Sequence, residues 1–265
     1  MVEMLSYEFM QRAFVAGIFI AVLSSISGTF VVLKRYSLIG ETLSHSALVG
    51  IAVGLVAGYN PLWVAVVVAL VSAWILEYLR GYFALYSDAV LSILLSGSLA
   101  IAIIIVSLGG AFNNSLFSYL FGSILSITTE DLYIIFIFGT ISLSLLLIFS
   151  KELYFIAYDE EVAKTSGIKV KTLNFLMVSV VAIIIALSIR VVGSLLISAL
   201  MVIPTMSALQ YRVGFKNTML LSLLFGVFSV LFGITISYYF SLPSGATIVL
   251  SVISVFIVSL FINKR

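Results

Sequence analysis

Nine runs of apolar residues follow one another along this chain, separated by short polar breaks. They lie roughly at 13–33, 37–58, 61–79, 89–109, 131–150, 171–189, 192–210, 217–239 and 244–262. About 20 apolar residues in a helix cross the hydrocarbon layer of a bilayer. Inside that layer every backbone N–H and C=O must bond within its own segment, which leaves helices or a closed barrel. Unbroken runs of this length, without alternation, specify helices. The expected fold is therefore an all-α, polytopic helical membrane protein with about nine transmembrane helices. The seventh run, VVGSLLISALMVIPTMSAL, is short, and Pro204 removes a hydrogen bond from its ladder. Eight full spans plus one broken or re-entrant helix is the alternative.

Composition agrees. Hydrophobic residues make up 63% of the 265, charged residues 9%, and mean hydropathy is +1.30, whereas a soluble chain carries about 25% charged residues. A net charge of +2 gives no reason to expect nucleic acid as a partner. With no cysteine, thiolate metal sites and disulfides are excluded. The start, MVEMLSYEFMQRAF, lacks the positive region of a cleaved signal peptide and is read as part of the mature chain.

Orientation follows from lysine and arginine, which collect on the cytoplasmic side. If the N-terminus lies outside and nine spans follow, Lys34, Arg35, Arg80, Lys151, Lys164, Lys169, Lys171, Arg212, Lys216, Lys264 and Arg265 share one side. Only Arg12 and Arg190 remain on the other. The C-terminus is then cytoplasmic. No soluble domain or repeat interrupts the chain, so residues 1–265 form a single transmembrane domain. The outer connection 110–130 is expected to hold an interfacial helix or part of a gate. Residues 158–168, YDEEVAKTSGI, read as a short cytoplasmic helix that Asp159, Glu160 and Glu161 open, with Lys164 near its end and Gly167 as cap. Val162 and Ala163 give it small apolar contacts. A docking element for a soluble partner is one reading and a solvated hairpin the other.

One pair of residues carries chemistry. Glu41 is the only acid deep in an apolar run and His45 is the only histidine. Four residues apart on a helix, they stack on one face about 6 Å apart along the axis. A carboxylate and an imidazole form half of a site for a first-row divalent ion, and zinc, manganese and ferrous iron accept such ligands. The chain has no second histidine, so a two-fold axis beside this helix, in a homodimer, would complete the set. The competing reading makes Glu41 a structural acid paired with a neighbouring helix and has His45 bonded to a backbone carbonyl. Burying an ionised group at the bilayer centre costs about 2.5–3.5 kcal/mol on insertion scales, which places such groups beside pathways. Gly40, Ser44, Ser46 and Ala47 allow close helix approach, and Ser44 and Pro204 are weak candidates for gating or packing. Arg190 is expected to snorkel to the interface, Glu77 and Arg80 to pair, Asp88 to serve as a helix-opening acid, and Asn113 and Asn114 to make turns. No GxxxxGK[ST] loop and no HExxH occur, so no enzymatic activity is expected.

LKRYSLIGETLSHSALVGIA (33–52), LFSYLFGSILSIT (116–128), EEVAKTSGI (160–168), VGSLLISALMVIPTMSA (192–208) and LPSGATIVL (242–250) together resemble the permease subunit of zinc/manganese-type ABC importers over nearly the whole chain. The resemblance implies a homodimer in a prokaryotic inner membrane. An extracytoplasmic metal-binding protein would feed it and cytoplasmic ATP-binding cassette subunits would drive it, with no permanently bound cofactor and with zinc, manganese or iron as cargo. It implies that Glu41 and His45 coordinate the ion and that residues near 158–168 form the coupling helix that docks on the ATPase. Glu41 stands where the family commonly has Asp, which leaves the metal open. Importers of metal chelates (siderophore or cobalamin type) and gradient-driven metal carriers are the alternative functions.

Overall fold

The computed structural model describes residues 6–82, 87–109, 114–123 and 126–262. Asn113, Lys264 and Arg265 lie outside the described residues, and of Asn114 only the backbone is described. The described chain is helical throughout: α1 (Glu8–Leu33), α2 (Ile39–Ala57), α3 (Pro61–Tyr82), α4 (Ser87–Leu108), α5 (Asn114–Phe121), α6 (Thr129–Ile148), α7 (Ser150–Tyr158), α8 (Glu160–Thr165), α9 (Val170–Val192), α10 (Ile197–Leu209), α11 (Phe215–Phe240) and α12 (Ser244–Ile262). Eight of these helices are long and apolar enough to cross a membrane, and α10 is a shorter apolar helix.

The helix ends obey local chemistry. Pro61 opens α3, where a missing N–H costs nothing, and Asn60 Oδ1 accepts from Leu62 N at 3.0 Å. Gly58, at φ +72, closes α2 in the left-handed conformation. Asp88 lies in the first turn of α4 as the sequence predicts. Buried hydroxyls bond back to their own helices (Ser27 to Leu23 O at 2.8 Å, Ser188 to Ile184 O at 2.6 Å), so serine is tolerated inside an apolar bundle.

The seventh run differs from the others for a physical reason. Only 13 of its residues are helical, about 20 Å at 1.5 Å per residue. The chain before them turns through Gly193, at φ +90. There residues 190–195 cross residues 119–123 backbone to backbone: Ser194 N donates to Tyr119 O at 2.9 Å and Ser123 N to Arg190 O at 3.3 Å. A Cβ on Gly193 would lie 2.4 Å from Leu120 O, so only glycine fits. α10 still returns the chain to the opposite end, where Leu209, Gly214 and Phe215 share a cavity with Leu33, Lys34 and Arg35. Among the described residues, eight full-length apolar helices and the shorter α10 thus make up the bundle. Pro204 lies buried inside α10, and next to it Thr205 lies 3.0 Å from Ser222 Oγ on α11 and 3.5 Å from Thr29 Oγ1 on α1.

The core is one contiguous apolar cluster, with α1, α2 and α9 at its centre. Each has 72% of its most apolar window buried, against 22% for α4. The two ends of the bundle differ in charge. Lys34, Arg35, Lys151, Lys164, Lys171 and Lys216 line cavities at one end, while Arg190 and Asp131 lie with the 119–123 crossing at the other.

Candidate functional site

α2 carries both predicted ligands. It starts after a tight five-residue turn, so Glu41 falls in its first turn and His45 one turn deeper. Two neighbouring contacts fix the helix rotation. Thr42 Oγ1 donates to Leu91 O at 3.4 Å, and Ser46 Oγ lies 3.0 Å from Ser98 Oγ, both on α4. Gly40 faces α10, where an added Cβ would come 3.4 Å from Ser198 Cβ. With the 42/46 edge tied to α4, the 41/45 edge is turned a fixed angle away from it.

The two side chains meet different surroundings. His45 is 5% exposed, and its Nδ1 is buried without any hydrogen-bond partner. No backbone carbonyl takes this nitrogen. Glu41 is exposed on the surface of the chain and, among the described residues, makes no ion pair. Its carboxylate is close enough to act electrostatically on the imidazole. An unpaired buried imidazole nitrogen costs about 1–3 kcal/mol, and a carboxylate beside it has no protein cation to satisfy it. The chemistry of the donor set fits a divalent cation. It is also incomplete within one chain, because among the described residues no three His, Cys, Asp or Glu side chains gather.

The other candidates separate from this pair. Ser44 Oγ is turned onto its own helix, donating to Glu41 O at 2.8 Å. Pro204 is six residues beyond Ser198 on α10. Residues 159–167 form a distinct unit at the basic end of the bundle. Asp159 Oδ1 caps α8 by accepting from Glu161 N and Val162 N, both at 3.0 Å. Lys164 pairs with Glu160 at 3.2 Å. Gly167, at φ +82, lets Ile168 N reach back to Ala163 O at 3.2 Å. Ala163 alone is fully buried and anchors the unit, while Asp159, Glu161, Val162, Lys164 and Gly167 face outward.

One sequence expectation changes and another is extended. Arg190 does not snorkel freely: its Nε lies 3.0 Å from Asp131 Oδ2, and its guanidinium sits 4.6 Å from the Tyr119 ring centroid. Asp131 is 1% exposed, and burial draws the cation inward. The pair Glu77–Arg80 forms at 3.8 Å, but it belongs to a larger cluster with Lys34, Tyr36 and Asn174. That cluster was not anticipated. A lone asparagine in the apolar run at 171–189 was the available signal.

The chain belongs to the ABC 3 transport family, whose model matches residues 6–263. It is 36% identical over 256 residues to a probable metal transport system membrane protein of Treponema pallidum, with 96% of each chain covered. It is 31% identical to the manganese import system permease protein ScaB of Streptococcus gordonii, covering 98% of this chain and 93% of that one. With the high-affinity zinc uptake system membrane protein ZnuB of Haemophilus influenzae it shares 30% identity over 98% of this chain and 99% of that one. Among solved structures, PsaBC from Streptococcus pneumoniae, determined in complex with Fab, matches with a TM-score of 0.86 at 32% identity. That match covers 97% of this chain and 92% of the other.

Proposed function

We propose that this chain is the membrane-spanning permease subunit of an ATP-driven importer of divalent metal ions, with Glu41 and His45 as the ion's transient ligands. The observation that carries the reading is the buried, unpartnered Nδ1 of His45 one helical turn from a carboxylate that has no protein cation. Family membership and relatives named for manganese and zinc support it. Those two relatives are nearly equally similar, so zinc and manganese both stay within the proposal, and iron enters on the donor chemistry alone.

Two ligands per chain make a second copy part of the site. In a homodimer with its axis beside α2, two carboxylates and two imidazoles surround one ion. A metal-binding protein delivers that ion on the outer face, and cytoplasmic ATPase subunits dock on the outward-facing side of α8. The basic end of the bundle then lies in the cytoplasm of a prokaryotic cell, with the N-terminus outside. The ion is cargo, and ATP hydrolysis resides in the partner subunits.

The test is metal-dependent uptake into proteoliposomes holding the assembled complex, wild type beside Glu41→Gln and His45→Ala. Both variants are expected to lose at least tenfold in uptake with the assembly intact. Uptake of a metal chelate with no need for either residue, or uptake by the purified chain without ATPase subunits, would each replace this reading by one of its alternatives.

A further inference from the structure

The turn between α1 and α2 is held by a cluster that reaches the coupling segment. Arg35 adopts φ +58, and Tyr36 N bonds back to Val31 O at 2.9 Å, so residues 34–38 form a closed, tight connection. Lys34 Nζ donates to Asn174 Oδ1 on α9. Two cations approach the Tyr36 ring: the Arg80 guanidinium at 3.6 Å from its centroid and the Lys34 ammonium at 4.9 Å. Arg80 and Glu77 come from the end of α3. Glu160 of α8 and Glu77 both act on the Lys34 charge. Four helices, α1, α3, α8 and α9, thus meet at one short turn, and that turn ends five residues after Lys34, where α2 begins.

We propose that Lys34, Tyr36 and Asn174 are positioning residues that carry displacement of α8 to α2, and through it to Glu41 and His45; this rests on the transport reading above. The path is short and covalent for most of its length. α8 leads into α9 through residues 166–169, Asn174 lies in the second turn of α9, and Lys34 ties Asn174 to the turn seven residues before Glu41. A cavity of about 420 Å3 lined by Glu77, Tyr78, Glu160, Lys164, Val170 and Asn174 gives α8 room to shift against α3 and α9. Glu77 Oε2 and Arg80 Nε are buried with no hydrogen bond. Their ion pair, at 3.8 Å, is loose enough to adjust as α8 shifts. A connection meant only to hold α2 in place would be met by apolar packing, which avoids the desolvation of Lys34, Glu77 and Arg80.

The test reconstitutes the full complex, with ATPase subunits and metal-binding protein, and measures metal transported per ATP hydrolysed. Lys34→Met and Asn174→Leu are expected to lower that ratio at least tenfold. Their ATPase rate should stay within about twofold of wild type, and the metal bound per complex should be unchanged. Asn174→Asp, which keeps an acceptor for Lys34, should restore most of the ratio. An unchanged ratio in Lys34→Met and Asn174→Leu overturns the inference and leaves the transport reading standing. So does a parallel loss of binding, ATPase and assembly that Asn174→Asp does not relieve. A wild-type complex that neither binds nor moves metal overturns both.

Discussion

Asp131 Oδ2 accepts from Thr128 N at 3.0 Å and also lies 3.0 Å from Arg190 Nε, so one buried carboxylate both caps α6 and ties it to α9. Arg190→Met leaves this carboxylate buried without its cation. Removing one partner of a buried pair costs about 3–5 kcal/mol. Unfolding in detergent should show a loss of that order, and Arg190→Met/Asp131→Asn should recover part of it. A double variant no more stable than Arg190→Met would mean that the pair is not what holds α6 to α9.

Helix approach at Gly28 is equally specific. A Cβ there would lie 1.9 Å from Met201 O, so α1 touches the backbone of α10. Gly28→Ala must push the helices apart, and overpacking of this kind costs about 1–3 kcal/mol. The prediction is a lowered unfolding midpoint together with weaker transport, since α10 also packs against Gly40 beside the proposed ligands. A Gly28→Ala protein as stable as wild type would contradict the contact.

Lys34 sets a pH dependence. Burial lowers its pKa from 10.5 to about 8, outweighing the attraction of Glu160 and Glu77. Between about pH 8 and 10.5 the unfolded chain keeps a proton that the folded chain has released, so folding stability from this group rises with pH. Unfolding free energy of wild type minus that of Lys34→Met should therefore increase across this window. A difference that falls with pH would place the ammonium in a favourable, charge-stabilised site instead. Tyr36, Glu77, Arg80, Glu160 and Lys164 surround the same group, and the subtraction removes their own titration to first order.

The 159–167 unit depends on its cap. Asp159→Ala removes two bonds to the start of a six-residue helix, a loss of about 1 kcal/mol by the usual cost of a missing N-cap. In the assembled complex this should weaken association with the ATPase subunits about fivefold, read by titration of subunit binding. Unchanged association would mean that α8 is not the docking element.

Much of the architecture was legible because bilayer crossing imposes length and apolarity together. Eight helices match the apolar runs to within a few residues, and the weakness of the seventh run showed in Pro204 and its short length. α8 and its cap were readable from Asp159 and Gly167, whose roles are local. The Asp131 capping box was also written in the sequence as Thr128 three residues ahead of Asp131, though its ion pair with Arg190 was not. Such pairings join residues 59 or 140 positions apart, as in Asp131–Arg190 and Lys34–Asn174, and nothing in the spacing announces them. Glu41 and His45 stand out as candidates because only one acid and one histidine stand in that stretch. The orphaned Nδ1 needed coordinates.

The most direct measurement is metal content of the purified assembly by elemental analysis, with wild type, Glu41→Gln and His45→Ala loaded in parallel with zinc and with manganese. Bound metal near one ion per two copies of this chain in the wild type, falling at least tenfold in each variant, is the predicted result. Equal metal in all three proteins would contradict the claim that these two side chains hold the ion.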